Sequence, residues 1–212
     1  MKSGETHERT NPTHVFGRGE HLQARMGVDI IRGELIAAVV IFGANIEHYL
    51  EHAIWQLRGE PIPPKPDTDA KRITTLIELL RKEIALIEDD DKRKMLEMWC
   101  DAAGDGFIIR NNIVHGVPVP LGGGGAIFMR NPRWGGVERK QDFGMFGGET
   151  DTLIMVRDSF AVLLRIIHAV SVGSADLMSN KLAMRAVREA RSMLGEFADH
   201  MLSRPAERAM DR

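Results

Sequence analysis

A stretch of thirty residues without proline, from Val28 to Leu57, is the feature that most restricts the fold of this chain. Two glycines interrupt residues that otherwise form helices well, so we predict one long helix. Apolar residues recur within it at steps of three and four, as expected of a helix face buried in a bundle: Ile36, Val39, Gly43, Ile46, Leu50, Ala53, Ile54 and Leu57. Gly59 and the proline-rich segment 61–66 are predicted to end it.

Four further segments have the same helical periodicity. Thr68 or Asp69 can cap the second helix, and the third is predicted from about residue 92 to His115, where Gly116 and Pro118 stop it. The fourth and fifth are predicted to end near residue 178 and to span 180–202. We therefore expect a mainly all-α fold, a bundle of four or five helices.

Residues 117–150 differ from the rest of the chain, because they contain nine glycines and short extended runs at 126–130 and 137–141. This pattern predicts a small β-hairpin inserted into the helical protein. Periodicity does not decide whether 152–156 is a third strand or the first turn of the next helix. The expected organisation is a disordered arm over 1–26, a bundle over 27–178 with the insertion at about 117–150, and a C-terminal helix within 179–212 packed on the bundle.

Charge and cysteine content exclude several classes of protein. The chain has 28 basic and 30 acidic side chains, so it lacks the broad basic field of a protein that coats nucleic acid. Cys100 is the single cysteine, which rules out an intrachain disulfide and a cysteine-based zinc site.

There is no signal-like segment at the N-terminus, and the apolar run 35–44 is half of the ~20 residues that cross a bilayer. We expect a cytoplasmic protein without a membrane contact.

The residues that could take part in catalysis lie at the end of the third predicted helix. Asn111 and His115 are four residues apart and share one face, with Arg110 beside Asn111. A guanidinium matches two phosphate oxygens, and an amide can hold an imidazole or a ribose hydroxyl. His115 can then take the proton of a ribose 2′-OH while Arg110 stabilises the charge on phosphorus. The alternative is structural, with Arg110 in an ion pair and His115 as an ordinary helix-end residue.

The string R-N-N-I-V-H-G over 110–116 resembles the R-x4–6-H motif of the HEPN superfamily, with Asn111 as the polar residue after the arginine. The order of the preceding helices is also similar to HEPN domains, and the resemblance covers about residues 28–178. It implies a homodimer that brings two motifs together and, in catalytic members, a metal-independent endoribonuclease activity. The expected function is therefore RNA binding or RNA cleavage in a toxin-antitoxin, phage-defence or stress-response system. The expected partners are RNA and an antitoxin or other protein.

The resemblance has two limits. Val117 stands where one group of HEPN toxins has a tyrosine that a partner enzyme modifies, so such modification is not implied. The superfamily also contains members without activity, so the alternative function is a non-catalytic dimeric interaction or nucleotide-binding module.

Basic and aromatic side chains of the glycine-rich insertion are candidates for contact with an RNA backbone and a base. They are Arg130, Arg133, Trp134, Arg139 and Lys140. The plainer interpretation of the same residues is a solvated hairpin.

A second polar group lies on the first helix, where His48, Glu51 and His52 have the H-x-x-E-H spacing of some zinc proteases. No third ligand is marked by the sequence, and the rest of a protease domain is not recognisable. We therefore predict neither a metal nor another cofactor, and leave open whether the two histidines bind a metal. His168 lies on a strongly apolar helix and is expected to be buried.

Overall fold

The computed structural model describes residues 19–60, 67–121, 125–130, 144–174 and 180–202. These residues form six helices and a three-stranded sheet. In chain order they are α1 Gly19–Arg25, α2 Ile30–Arg58, α3 Ile73–Ile84, α4 Asp90–His115, β1 Val117–Pro120, β2 Ala126–Arg130, β3 Gly144–Gly147, α5 Thr150–Ser171 and α6 Lys181–Leu202. The predicted mainly all-α fold with a small β insertion is confirmed.

Helix α2 is the long helix that the sequence predicts, and both of its ends are capped. Asp29 accepts a hydrogen bond from the backbone N–H of Arg32 at 2.8 Å, which satisfies a free donor at the N-terminus. Gly59 adopts a left-handed conformation with φ of 65° and ends the helix. The face between these caps is buried, mainly against helix α5, with the side chains Leu35, Val39, Ile46, Leu50, Ala53 and Ile54.

Helix α3 begins at Ile73, later than the predicted cap at Thr68 or Asp69. Thr68 is buried instead, and its hydroxyl accepts a hydrogen bond from Nε1 of Trp55 at 3.0 Å. The residue therefore ties the segment after the prolines to helix α2.

Helix α4 runs through the middle of the molecule, in contact with α2, α3, α5 and α6. Asp89 caps it by accepting hydrogen bonds from the N–H groups of Asp91 and Lys92. Its buried Trp99 donates a 2.8 Å hydrogen bond to the carbonyl of Leu163 in α5. This bond satisfies the one polar atom that the tryptophan brings into the core.

The β insertion is an antiparallel sheet in the order β1-β2-β3. Val117 pairs with Met129 across β1 and β2, and Arg130 pairs with Gly144 across β2 and β3. The predicted extended run at 126–130 is strand β2. The other predicted run, 137–141, lies outside the described residues. Residues 152–156 belong to helix α5, so the alternative of a strand there is wrong.

The ends of the described chain are helical. Residues 19–25 of the predicted N-terminal arm form helix α1, whereas 1–18 are not described. Helix α6 matches the predicted C-terminal helix and packs mainly on α4 and α5. Among the helices that the structure describes, none is long and apolar enough to cross a membrane.

Candidate functional site at the end of helix α4

Helix α4 passes directly into strand β1 at the motif residues. His115 is the last helical residue, Gly116 is extended with φ of −83° and ψ of 150°, and Val117 starts the strand. A Cβ built on Gly116 would lie 2.2 Å from the carbonyl oxygen of Asn112 and 3.1 Å from Cβ of Phe128. Because only glycine fits there, it allows the sheet to fold back onto the end of the helix.

Asn112 joins the motif helix to the sheet. Its side chain has 0% exposure, and Cβ of any side chain at Gly144 would fall 2.3 Å from its Oδ1. The amide thus lies directly against the backbone of strand β3. Sequence reasoning assigned a role to Asn111 and missed Asn112, which lies about 100° round the helix from the buried Ile113. Asn112 is buried by the sheet rather than by the bundle, so helical periodicity gives no signal for it.

Arg110 is half-buried between helices α4 and α2. A Cβ at Gly43 would be 3.7 Å from both Cγ and Nε of Arg110, so the arginine stem lies over the glycine. Its Nη1 donates a 3.1 Å hydrogen bond to Oδ1 of Asn111. The structure therefore brings these two predicted site residues together.

The guanidinium of Arg110 has no acidic partner among the residues that the structure describes. It forms no ion pair there, and its Nε is buried without a hydrogen-bond partner. The structural alternative, in which this arginine makes an ion pair, is not seen in the described part of the chain. An arginine held in place by an amide but not neutralised can bind an anion.

His115 is exposed at the end of helix α4. Across the described ranges it has no hydrogen bond or ion pair, including none with Asn111, whose face of the helix it shares. Arg110 and His115 are five residues apart, which on an α-helix is about 140° of rotation and ~7.5 Å of rise. The two side chains of one copy therefore start from different sides of the helix.

Arg130 is the one residue of the predicted RNA-contact group that the structure describes. It is the last residue of β2, is half-buried, and its Nε is buried without a hydrogen-bond partner within the described chain. Extending the pairing of Val117 with Met129 by one residue places Gly116 opposite Arg130. The sheet thus brings this arginine to the helix end that carries His115. Arg133, Trp134, Arg139 and Lys140 lie outside the described residues.

A groove of about 970 Å³ between α3, α4 and α6 differs from this site in its charged side chains. Two of its three arginines are in ion pairs, since Arg81 and Arg191 both contact Asp101, at 2.6 and 3.0 Å, and Arg188 is the third. Burial, followed by the charges of Asp199 and Asp101, raises the pKa of Asp105 in the same groove. Five carboxylates and three arginines line the groove, so acidic side chains outnumber basic ones there.

The histidines of helix α2 form a separate group. His48 is exposed, His52 is half-buried, and their ring centres are 4.6 Å apart. His168, expected to be buried, is exposed and lies edge-on to Tyr49 at 4.7 Å. That prediction is wrong because His168 faces outward from α5. Among the described residues, no three or more His, Cys, Asp or Glu side chains are grouped as metal ligands.

Comparison with known proteins identifies no relative of this chain. No protein-family model matches the chain, and no curated protein or solved structure matches it.

Proposed function

We propose that this protein is a HEPN-type homodimer that binds RNA at the end of helix α4 and cleaves it without a metal. The observation that carries the proposal is the guanidinium of Arg110, which is held by Asn111 and has no acidic partner in the described chain. A cation left without a counterion in a half-buried position fits a phosphate, whose two oxygens match the guanidinium fork.

The residues support one defined reaction. His115 takes the proton of a ribose 2′-OH, the 2′ oxygen bonds to phosphorus, and the bond from phosphorus to the 5′ oxygen of the next nucleotide breaks. Arg110 stabilises the negative charge on the phosphate oxygens during this step. The departing oxygen takes a proton from a protonated histidine. The products carry a 2′,3′-cyclic phosphate and a 5′-hydroxyl.

A second copy supplies the second histidine in this proposal. Arg110, which binds the phosphate, and His115, which transfers the proton, are about 140° apart around the same helix. A two-fold dimer through the end of α4 brings Arg110 of one copy towards His115 of the other. This arrangement provides one neutral imidazole as base and one protonated imidazole as acid.

Arg130 has the role of a further phosphate contact. Its Nε is buried without a described partner, and its strand position is opposite Gly116, next to His115. The surface would then be locally positive although the chain as a whole carries a net charge of −2.

Binding of a fluorescent single-stranded RNA to Arg110→Ala tests the phosphate clamp. The loss of a charge-assisted contact, about 1.5–3 kcal/mol, weakens binding by roughly 10- to 150-fold. Arg165→Ala is the control, because Arg165, exposed on α5, also has no ion pair in the described chain. Equal affinity of wild type and Arg110→Ala would contradict the proposal.

The alternative, a non-catalytic interaction module, predicts a different result for the double variant Arg110→Ala with His115→Ala. In a ribonuclease the double variant keeps its dimer and loses cleavage. In an interaction module it loses the dimer, measured by sedimentation equilibrium, because the same side chains hold the copies together.

A further inference from the structure

Two histidines stand side by side on the outer face of helix α2. His48 and His52 are one helical turn apart, and their imidazole rings are tilted by 52° with centres 4.6 Å apart. His48 is exposed and His52 is half-buried. Two imidazoles four residues apart on one helix face are the arrangement by which a helix binds zinc.

The ring separation agrees with binding of one metal ion between them. Metal–nitrogen distances of about 2.0–2.1 Å, with about 1.1 Å from nitrogen to ring centre, place each ring centre roughly 3.2 Å from the ion. For angles at the metal between about 90° and 109°, the two centres are then roughly 4.5–5.2 Å apart. The observed 4.6 Å lies within this range.

Neighbouring aromatic rings limit the movement of both imidazoles. Tyr49 lies 5.1 Å from His48 and at a steep angle to it, and Trp55 lies 4.9 Å from His52. A pair that is already held near the bound geometry loses less conformational entropy when the ion binds.

The protonation of His52 also suits a metal. Burial, followed by the charge of His48, lowers the pKa of His52 below its ordinary value. Only the neutral imidazole is a ligand, so His52 is available to a metal at a lower pH than an exposed histidine.

We propose that His48 and His52 together bind one divalent transition-metal ion of the zinc, copper or nickel class. Within the described chain the pair is not joined by a third His, Cys, Asp or Glu in a ligand group, so water completes the coordination. The ion links two successive turns of α2 and stabilises the folded chain. The site is independent of the ribonuclease proposal, which needs no metal.

Calorimetric titration of the full chain with NiCl2 at pH 7.5 tests the site. We expect one ion to bind through the pair, with binding weakened at least about tenfold in both His48→Ala and His52→Ala. His168→Ala is the matched control, since His168 is another exposed histidine and contacts Tyr49, as His48 does, but is not part of the pair. Unchanged affinity in both His48→Ala and His52→Ala would overturn the proposal, and so would a loss confined to His168→Ala.

Two further measurements do not depend on calorimetry. At 100-fold excess over the dissociation constant the ion should raise the Tm of wild type by roughly 5–10 °C, and neither variant at position 48 or 52 should show this rise. With one equivalent of Cu²⁺, the electron paramagnetic resonance spectrum of wild type should show coupling to two nitrogens. A spectrum with no nitrogen coupling, or with coupling to only one nitrogen, overturns the proposal without any variant.

Discussion

Gly144 in strand β3 and Asn112 in helix α4 are in such close contact that a Cβ on the glycine would lie 2.3 Å from Oδ1 of the asparagine. The contact joins the inserted sheet to the helix that carries the candidate site. Asn112 is two residues after Arg110 and three before His115, so the position of the sheet and the geometry of the motif depend on each other.

Substitution of Gly144 by alanine should therefore destabilise the protein. The new methyl group forces the strand or the asparagine to move, at a cost of about 1–3 kcal/mol and a fall in Tm of roughly 2–10 °C. Gly147→Ala is the control, because a Cβ at Gly147 in the same strand meets no atom within 4 Å. Thermal melting followed by circular dichroism measures both, and equal melting of the two variants would show that the contact is not close.

Gly43 sets the position of Arg110. A Cβ there makes ordinary contacts, 3.6 Å to Phe160 and 3.7 Å to Arg110, so Gly43→Ala should be tolerated and should gain about 0.5–1 kcal/mol from better helix propensity. Gly43→Leu should displace the guanidinium and weaken RNA binding as much as Arg110→Ala does. An RNA affinity that is unchanged in Gly43→Leu would show that Gly43 does not set the position of Arg110.

Asp105 should make stability depend on pH. Burial, then Asp199 and Asp101, raise its pKa in the folded chain, and Arg191 opposes them. The carboxyl group therefore stabilises the fold when it is protonated, below its ordinary pKa of about 3.9, and this contribution is lost as the pH rises through the raised value.

The variant Asp105→Asn tests this dependence. It should melt about 1–3 °C above wild type at pH 7, a small gain because the groove is open to solvent and screens the charges. The difference should vanish near pH 4. Glu88→Gln, at an exposed carboxylate outside the helices, is the control for removing one charge. A difference in Tm that is larger at pH 4 than at pH 7 would contradict the raised pKa of Asp105.

Cys100 should be inert in the folded protein. Its side chain is fully buried in α4, and burial raises the pKa of the thiol to about 12. The reactive thiolate is therefore nearly absent at pH 8. A disulfide reagent should modify no thiol in the native protein and one in guanidinium chloride. Rapid modification of the native protein would place Cys100 at the surface.

The helices could be predicted from the sequence because their signals are local. Helix α2 is marked by apolar spacing and by Gly59, and α4 ends at His115 as Gly116 indicates. The side-by-side position of Arg110 and Asn111 also follows from their order in the chain. These features require only the period of a helix and its end signals.

Features that depend on packing between distant segments could not be predicted in this way. Strands β1 and β3 are four residues each, too short for a clear alternation, and become strands because β2 pairs with both. Thr68 is predicted to cap a helix but accepts a hydrogen bond from Trp55, and Asn112 is buried in close contact with Gly144 of β3. Each outcome is decided by a partner that is remote in sequence.

Cleavage of a mixed single-stranded RNA in EDTA by wild type and His115→Ala tests the central claim most directly, with His168→Ala as a control for an exposed histidine. We predict products with 2′,3′-cyclic phosphate ends from wild type and from His168→Ala, and a rate about 10²- to 10⁴-fold lower for His115→Ala. Cleavage by His115→Ala at the wild-type rate, or RNA left intact by wild type, would contradict the account.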